Sequence, residues 1–190
     1  CKRESKTWRE WGLVNIVLVG FSGSGKTTVG KEICKITGMD YIDTDVLIER
    51  KLSLKIEDIF RYYGHRYFRY IEREVIKNLL NMENKVIGTG GGAFINPTNI
   101  LNLKSLGIVF FLNATLEKIL TDDVLSSRPL LKNEDMYKIQ KLYESRLVFY
   151  READFEINID DKSPNIVAKE IINIFCSYKN RYDNIKESFK

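Results

Sequence analysis

The sequence predicts a three-layer α/β fold in which a five-stranded parallel sheet is flanked by helices. Short apolar segments rich in β-branched residues alternate along the chain with segments of helical periodicity, and this alternation is typical of parallel sheets with right-handed crossovers. A glycine-rich loop joins the first strand to the first helix. Hydrophobic residues make up 44% and charged residues 29% of the 190 residues, which indicates a globular domain with a sizeable core.

The predicted elements follow one another in a regular order. Strands, of which the first is apolar on both faces, are expected at 14–19, 39–42, 85–88, 107–112 and 155–159. Helical periodicity is found at 27–37, 46–51, 56–63, 65–82, 97–106, 115–125, 135–151 and 164–178. Gly38 is expected to end the first helix, and Gly64 to break the helical pattern further along. Segment 126–134 contains Pro129 and mixed charge, so a mobile surface loop is expected there.

The chain is predicted to form one domain at 13–178, between an N-terminal extension at 1–12 and a charged tail at 179–190 that is expected to fray. The net charge is only +4, which is too small to indicate a nucleic-acid partner, and no run of 18 apolar residues indicates a membrane span. Three cysteines without a C-x-x-C pair favour a reducing compartment. We therefore expect a cytoplasmic monomer. A plastid location, a removed upstream segment or a larger fusion protein stays open.

The glycine-rich loop carries the strongest functional signal. Segment 20–27 reads GFSGSGKT and fits G-x-x-x-x-G-K-[ST], the phosphate-binding loop of nucleotide-using enzymes. Its backbone N–H groups and the helix start form a nest for phosphate oxygens, Lys26 can reach the β- and γ-phosphates, and the Thr27 hydroxyl can bind Mg²⁺. The alternative is a glycine turn that binds nothing, but the strand before the loop and the helix after it favour the nucleotide site. The predicted nucleotide contacts are Gly23, Ser24, Gly25, Lys26, Thr27 and Thr28.

Two carboxylates follow the second predicted strand. Asp43 and Asp45 are two positions apart, and in an extended segment such residues point the same way. Both are therefore expected to face the γ-phosphate, one towards Mg²⁺ and one towards a substrate hydroxyl. The alternative, which stays open for either residue, is that it caps the following helix.

Three arginines have both a functional and a structural interpretation. Arg69 and Glu72 are three positions apart in a predicted helix, a spacing that by itself favours a surface ion pair worth about 0.2–0.5 kcal/mol. The functional alternative is that Arg69 binds a substrate carboxylate with both arms of its guanidinium and that Glu72 orients Arg69. Arg128 in the predicted loop could close over a transferring phosphate or be solvated. Arg146, one turn before Tyr150, could likewise lie on a solvated helix face.

Three consecutive glycines follow the third predicted strand. One or two glycines suffice for a tight turn, so Gly90, Gly91 and Gly92 indicate a place where a ligand touches the backbone at a strand end. The single histidine, His65, is expected to be a cap or surface residue rather than a catalytic base. The sequence offers no His/Cys metal cluster and no Ser–His–Asp set.

Taken together, these motifs are far more specific than any one of them. The order G-x-x-x-x-G-K-T, D-T-D, F-R-x-x-E, G-G-G, R-P-L-L and R-x-x-x-Y resembles shikimate kinase, from about Asn15 to Phe175. The resemblance implies a P-loop kinase fold with a mobile lid at about 122–134. It also implies transfer of the ATP γ-phosphate to the 3-hydroxyl of shikimate, giving shikimate 3-phosphate on the route to chorismate and aromatic amino acids.

On the nucleotide side, the resemblance assigns roles to four residues. Lys26 matches the phosphate-loop lysine and Thr27 its Mg²⁺ ligand. Asp43 matches the acid that holds the metal through water, and Arg128 matches the lid arginine that contacts ATP. Lys26 and Arg128 are thereby expected to be catalytic.

On the acceptor side, the resemblance assigns roles to five residues. Asp45 matches the catalytic residue that binds the reacting hydroxyl and takes its proton. Arg69 and Arg146 match the arginines that clamp the shikimate carboxylate, and Gly91 and Gly92 match the backbone contact to the substrate.

One departure from the family pattern concerns adenine. The family usually carries a further arginine that packs on the adenine ring, where this chain has Thr121 followed by two acids. Losing such a contact costs about 0.5–2 kcal/mol, so weaker ATP binding is expected. Two alternatives therefore stay open: a degenerate, non-catalytic homologue and a kinase of another small polyol acid such as gluconate.

Overall fold

The computed structural model describes the backbone of residues 14–120 and 136–188, with side chains up to residue 178. The predicted N-terminal extension, Thr121, and the predicted lid with Arg128 lie outside the described residues. The domain boundaries and the lid therefore stay predictions.

The described residues form a five-stranded parallel sheet, which confirms the predicted fold class. The strands lie in the order β2-β3-β1-β4-β5, and each neighbouring pair is parallel. β1 lies between β3 and β4. After β1, the chain forms β2 and β3 on one side of this strand, and it then crosses to form β4 and β5 on the other side. In α/β sheets, ligands bind at the carboxyl ends of the strands near such a switch point. The strands are β1 (Asn15–Val19), β2 (Asp40–Asp43), β3 (Lys85–Gly88), β4 (Gly107–Asn113) and β5 (Phe155–Asn158).

Helices alternate with the strands in the predicted positions. A short 3₁₀ turn, Ala93–Ile95, precedes the fourth helix. The helices are α1 (Lys26–Thr37), α2 (Thr44–Leu52), α3 (Ile56–Asn78), α4 (Pro97–Leu106), α5 (Leu116–Ile119), α6 (Met136–Tyr150) and α7 (Pro164–Ser188). Gly38 ends α1 with φ 72°, as predicted. Gly64 interrupts α3 with φ 76° and ψ 175°, so α3 consists of two helical segments that meet at the predicted break.

α3 ends at Asn78 rather than at residue 82, and α5 ends at Ile119 although a helix was expected to residue 125. Two further boundaries differ from the prediction for identifiable reasons. α2 begins at Thr44 rather than at residue 46, because the Asp43 side chain accepts hydrogen bonds from the N–H groups of Asp45 and Val46 and so caps the helix directly after β2. α7 continues to Ser188, ten residues beyond the predicted end at 178. Segment 179–188 contains no glycine or proline, so nothing in it stops the helix.

Two apolar clusters hold these elements in place. The larger one lies on both faces of the sheet and includes every β1 residue from Ile16 to Val19. The smaller one joins α2 to α3 through Ile48, Ile59 and Phe68 together with their neighbours. This second cluster anchors the helix segment that carries Arg69.

A buried asparagine ties three strands together at the opposite end of the sheet from the strand-end loops. Asn15 is 1% exposed; its Nδ2 donates to the carbonyl oxygens of Met82 (2.7 Å) and Leu106 (2.8 Å), and its Oδ1 accepts from the N–H of Lys85 (2.9 Å). Every polar atom of this side chain is therefore satisfied. No helix in the described segments is long and apolar enough to cross a membrane.

Candidate active site

The glycine-rich loop connects β1 to α1 and leaves the start of that helix open. Gly25, the residue before α1, has φ 75°, a left-handed conformation that favours glycine. Within the described chain, no side chain caps the α1 N-terminus and no acid lies in its first turn, whereas Asp43 caps α2 and Asn96 caps α4. The N–H groups at the start of α1 therefore combine with the positive end of the helix dipole as an anion-binding site.

Lys26 is buried under this loop. Its Nζ donates hydrogen bonds to the carbonyl oxygens of Gly20 (2.9 Å) and Phe21 (2.8 Å) and to Ser24 Oγ (3.3 Å). Ser24 is itself 1% exposed, and its N–H donates to the Phe21 carbonyl oxygen. Lys26 lines the adjoining cavity and Ser24 does not, so the predicted contact of Ser24 with a nucleotide stays a prediction.

A cavity of about 190 Å³ lies in front of the loop and brings most of the predicted site residues together. The predicted residues that line it are Gly23, Gly25, Lys26, Thr27, Thr28, Asp43, Asp45 and Gly91. Two further lining residues, Tyr41 and Thr89, were not among the predicted site residues. Each is within two positions of a recognised motif, but Tyr41 belongs to an apolar strand pattern and Thr89 to a glycine run, so neither was distinguished from a structural residue.

Asp43 and Asp45 both line the cavity, but the backbone reasoning behind that expectation was wrong. The extended conformation ends at Asp43 (φ −112°, ψ 121°), and Asp45 lies in the first turn of α2. Asp43 is the cap of α2, one of the roles that the sequence left open, and its second carboxylate oxygen lies towards Thr27 and Tyr41. Its Oδ1 accepts from the N–H groups of α2, while its Oδ2 accepts from Thr27 Oγ1 (3.3 Å) and from the Tyr41 hydroxyl (3.4 Å).

Each glycine of the GGG run lies against a different residue of the site. A Cβ added to Gly90 would lie 2.4 Å from Asp45 Oδ1, and one added to Gly92 would lie 2.4 Å from Arg69 Nη2. A Cβ on Gly91 would lie 2.9 Å from the backbone N of Ser22 in the phosphate loop. A side chain at Gly91 would therefore meet the backbone of the phosphate loop, whereas one at Gly90 or Gly92 would displace the end of Asp45 or of Arg69. The ligand contact that the sequence suggested stays a prediction.

Arg69 and Glu72 do not form the surface pair that their spacing alone favours. Glu72 is 1% exposed, and both of its carboxylate oxygens accept from Arg69 Nη1 at 2.8 Å. Burial raises the pKa of Glu72, whereas the positive charge of Arg69 opposes that rise. The buried carboxylate thus holds the arginine in one orientation beside Gly92.

Arg146 reaches the same region from α6. Its Nη1 donates to the Gly91 carbonyl oxygen (3.4 Å), which also accepts from the Tyr150 hydroxyl. Its guanidinium lies over the Phe21 ring at 5.4 Å from the centroid. Among the described residues, the buried Nε of Arg146 has no hydrogen-bond partner.

The two arginines converge on one place. The charges of both lower the pKa of Glu72 against the effect of burial, and the charge of Asp45 raises it. Burial raises the pKa of Tyr150 to about 12, while Arg146 and Arg69 act in the opposite direction. Two positive charges that both act on one buried carboxylate form a region that favours an anionic ligand. His65, by contrast, is exposed, with its ring 4.5 Å from that of Phe60.

Comparison with known protein sequences identifies shikimate kinases as relatives of this chain. The family model for shikimate kinase matches residues 22–175. A shikimate kinase from Caldanaerobacter subterraneus subsp. tengcongensis is 41% identical over 169 residues, covering 88% of this chain and 99% of the relative. A shikimate kinase from Sulfurihydrogenibium sp. is 44% identical over 161 residues, covering 83% of this chain and 95% of the relative.

Solved structures give the same result. The shikimate kinase from Acinetobacter baumannii, in complex with shikimate, superposes with a TM-score of 0.84 at 35% identity over 92% of this chain and 99% of its own. A gluconokinase from Sinorhizobium meliloti has a TM-score of 0.52 at 14% identity over 89% of this chain and 95% of its own, a likeness that concerns the fold alone. The resemblance stated from the motifs is thereby confirmed. Since the family model spans most of the chain and relatives at 41% and 44% identity are covered almost completely, the chain belongs to the shikimate kinase family, a family of ATP-dependent kinases.

Proposed function

We propose that this chain transfers the γ-phosphate of ATP to the 3-hydroxyl of shikimate, giving shikimate 3-phosphate and ADP, with Mg²⁺ as cofactor. The observation that carries the proposal is that two subsites meet at Gly91. This glycine lines the phosphate-loop cavity, and its carbonyl oxygen accepts from Arg146 and Tyr150 on the arginine side. The donor subsite and the anion-binding acceptor subsite thus lie next to each other. This arrangement suits transfer between two bound substrates, because phosphoryl transfer depends mainly on positioning and charge stabilisation.

On the donor side, the α1 N-terminus, the loop N–H groups and Lys26 bind the phosphates of ATP. Thr27 Oγ1 and Asp43 Oδ2 lie 3.3 Å apart and are oxygen donors of the kind that Mg²⁺ prefers. The described residues contain no group of three His, Cys, Asp or Glu side chains that could hold a metal. That fits Mg²⁺, which usually binds through one or two carboxylates and substrate phosphates and supplies charge neutralisation at the transferred phosphoryl group. Arg128 adds a further positive charge from the predicted lid.

On the acceptor side, Arg69 and Arg146 bind the carboxylate of shikimate, and Gly91 and Gly92 contact the substrate through their backbone. Asp45 accepts the hydrogen bond of the 3-hydroxyl and takes its proton as the phosphate is transferred. Support for this arrangement comes from the orientation of Arg69 by buried Glu72 and from the position of Asp45 Oδ1 beside Gly90, where an added Cβ would lie 2.4 Å away. The solved shikimate complex of the Acinetobacter baumannii relative supports the substrate class.

The test is the release of ADP from MgATP with shikimate, with gluconate and with no acceptor. We expect release that depends on shikimate. Release that depends on gluconate instead, or ATP binding with no acceptor-dependent release, would refute the proposal and favour one of the two alternatives left open by the sequence.

We also propose that the chain acts as a monomer in the cytoplasm. Within the described residues, Cys34 and Cys176 are not joined by a disulfide, which is consistent with a reducing compartment. Light scattering coupled to size-exclusion chromatography tests the monomer, which a mass of twice the chain's 22.2 kDa would contradict.

A further inference from the structure

Tyr41 is one of two cavity-lining residues, with Thr89, that the proposed reaction leaves without a role. The Tyr41 hydroxyl lies 3.4 Å from Thr27 Oγ1 and 3.4 Å from Asp43 Oδ2, and these two oxygens are 3.3 Å apart. The three oxygens therefore form a nearly equilateral triangle at the long end of hydrogen-bonding distances. Its other two corners are the two residues that the proposed function assigns to Mg²⁺.

The position of this hydroxyl is fixed by packing. The Tyr41 ring lies in a slot between α1 and β3 that two glycines keep open. A Cβ on Gly30 would lie 2.3 Å from the ring, and a Cβ on Gly88 would lie 2.0 Å from the hydroxyl oxygen. Since neither glycine carries a side chain, the phenol extends through the slot and presents its hydroxyl to the cavity.

The hydrogen atoms available at the triangle determine what the hydroxyl can do. An ionised carboxylate only accepts hydrogen bonds, whereas a phenol at neutral pH and a threonine hydroxyl each carry one proton. Asp43 Oδ1 is already used by the N–H groups of α2, so Oδ2 is the oxygen that receives protons from Thr27 and Tyr41. Because the Thr27 proton points to Asp43 Oδ2, the lone pairs of Thr27 Oγ1 stay available for a cation.

We propose that the Tyr41 hydroxyl is a positioning group for the Mg²⁺ site, which orients Asp43 Oδ2 directly and, through that oxygen, Thr27 Oγ1. The inference rests on the proposed function, because that function assigns these two oxygens to the metal. Removing a hydrogen bond that orients a metal-binding group typically weakens metal binding 10–100-fold. Since the Tyr41 contacts are long, we expect an effect near the lower end, about tenfold.

The test is the Tyr41→Phe variant, which keeps the ring in its slot and removes only the hydroxyl. Calorimetric titration of ADP at a series of Mg²⁺ concentrations gives the apparent Mg²⁺ affinity of the nucleotide complex without turnover. In the variant, half-saturation of the ADP complex with Mg²⁺ is expected to require about tenfold more Mg²⁺ than in the wild type. The affinity for ADP in the absence of Mg²⁺ and the KM for shikimate should be unchanged. The matched control is Tyr143→Phe, since that half-buried hydroxyl donates to Asn113 Oδ1 (3.2 Å) and to the Ala114 carbonyl oxygen (2.9 Å). It should lower thermal stability and leave the Mg²⁺ dependence unchanged.

A double-mutant cycle tests whether the hydroxyl acts through Asp43. In an Asp43→Asn background, Tyr41→Phe should change the Mg²⁺ dependence by much less than tenfold, because interacting residues are not additive. A Tyr41→Phe protein with wild-type Mg²⁺ dependence would overturn the inference while leaving the kinase proposal intact. Conversely, a wild type that binds MgADP but releases no ADP with shikimate would refute the kinase proposal, and the Mg²⁺ titration would still decide the role of Tyr41.

Discussion

Replacing Glu72 by glutamine separates the role of this buried carboxylate in orienting Arg69 from its contribution to stability. The two side chains have nearly the same size, and glutamine keeps one acceptor oxygen while losing the charge. In the wild type, both carboxylate oxygens accept from Arg69 Nη1 at 2.8 Å. Hydrogen bonds to a charged group contribute about 1.5–3 kcal/mol, against about 0.5–1.5 kcal/mol for neutral ones. The substitution therefore weakens the interaction between residue 72 and the Arg69 guanidinium by about 1–2 kcal/mol.

That difference should appear in substrate binding. Since 1.36 kcal/mol corresponds to a factor of ten, we expect the KM for shikimate to rise about tenfold, while the KM for ATP stays within twofold of the wild type (~0.4 kcal/mol). The free energy of unfolding should not fall by the ~3–5 kcal/mol that breaking a buried ion pair usually costs. Breaking a buried ion pair is costly when it strands the remaining charge, but the Arg69 side chain is 29% exposed and stays hydrated.

The pH dependence of stability gives a second measurement on the same variant. Burial raises the pKa of Glu72 above its ordinary value of 4.5, so the folded protein binds this proton more tightly than the unfolded chain does. The contribution of Glu72 to stability is therefore greatest below pH 4.5 and declines as the pH rises through the raised pKa. Urea denaturation from pH 4.5 to 7 should show the wild type losing stability relative to Glu72→Gln.

The control is Glu74→Gln, which removes a carboxylate from the same helix two positions away. It should leave the KM for shikimate unchanged. A Glu72→Gln enzyme whose KM for shikimate equals that of the control would refute the claim that Glu72 orients Arg69.

Three further predictions test other parts of the site and fold. Asp45→Asn should lower kcat by about 10²–10⁴, the usual contribution of a general base, with ATP affinity by calorimetry unchanged; undiminished turnover would remove Asp45 from its role. Gly92→Ala places a Cβ 2.4 Å from Arg69 Nη2 and should raise the KM for shikimate about tenfold or more, since a 1 Å misplacement of a positioning group can cost ~10²-fold; a wild-type KM would show that Arg69 adapts freely. Asn15→Ala leaves three backbone groups without their side-chain partner and should cost about 2–4 kcal/mol of unfolding free energy, measured by urea denaturation; a loss below ~1 kcal/mol would contradict the role of Asn15 as a tie between strands.

The parts of the fold that the sequence predicts well are those governed by local rules. The phosphate loop follows from glycine, lysine and threonine at fixed spacing, and the break in α3 follows from Gly64, whose φ of 76° suits glycine. The positions of the central strands β1, β3 and β4 follow from apolar patterns, because these strands are buried on both faces. The extension of α7 to Ser188 was missed because a charged tail was expected to fray, although it contains no helix-breaking residue.

The parts of the site that the sequence predicts poorly depend on contacts between distant segments. The spacing of Arg69 and Glu72 cannot reveal that Glu72 is buried, because burial comes from the packing of α3 against the rest of the domain. The role of each glycine in the GGG run depends on Asp45, Ser22 and Arg69, which are brought there by other elements. Tyr41 was interpreted as a strand residue, and only the slot between Gly30 and Gly88 shows where its hydroxyl lies.

Identifying the product tests the central claim most directly. After incubation with MgATP and shikimate, ³¹P NMR and mass spectrometry should show one new phosphomonoester on the 3-oxygen of shikimate, formed in equal amount to ADP. Inorganic phosphate in place of the phosphomonoester, or a phosphate on another hydroxyl, would contradict the arrangement of Asp45, Arg69 and Arg146 proposed for the acceptor site.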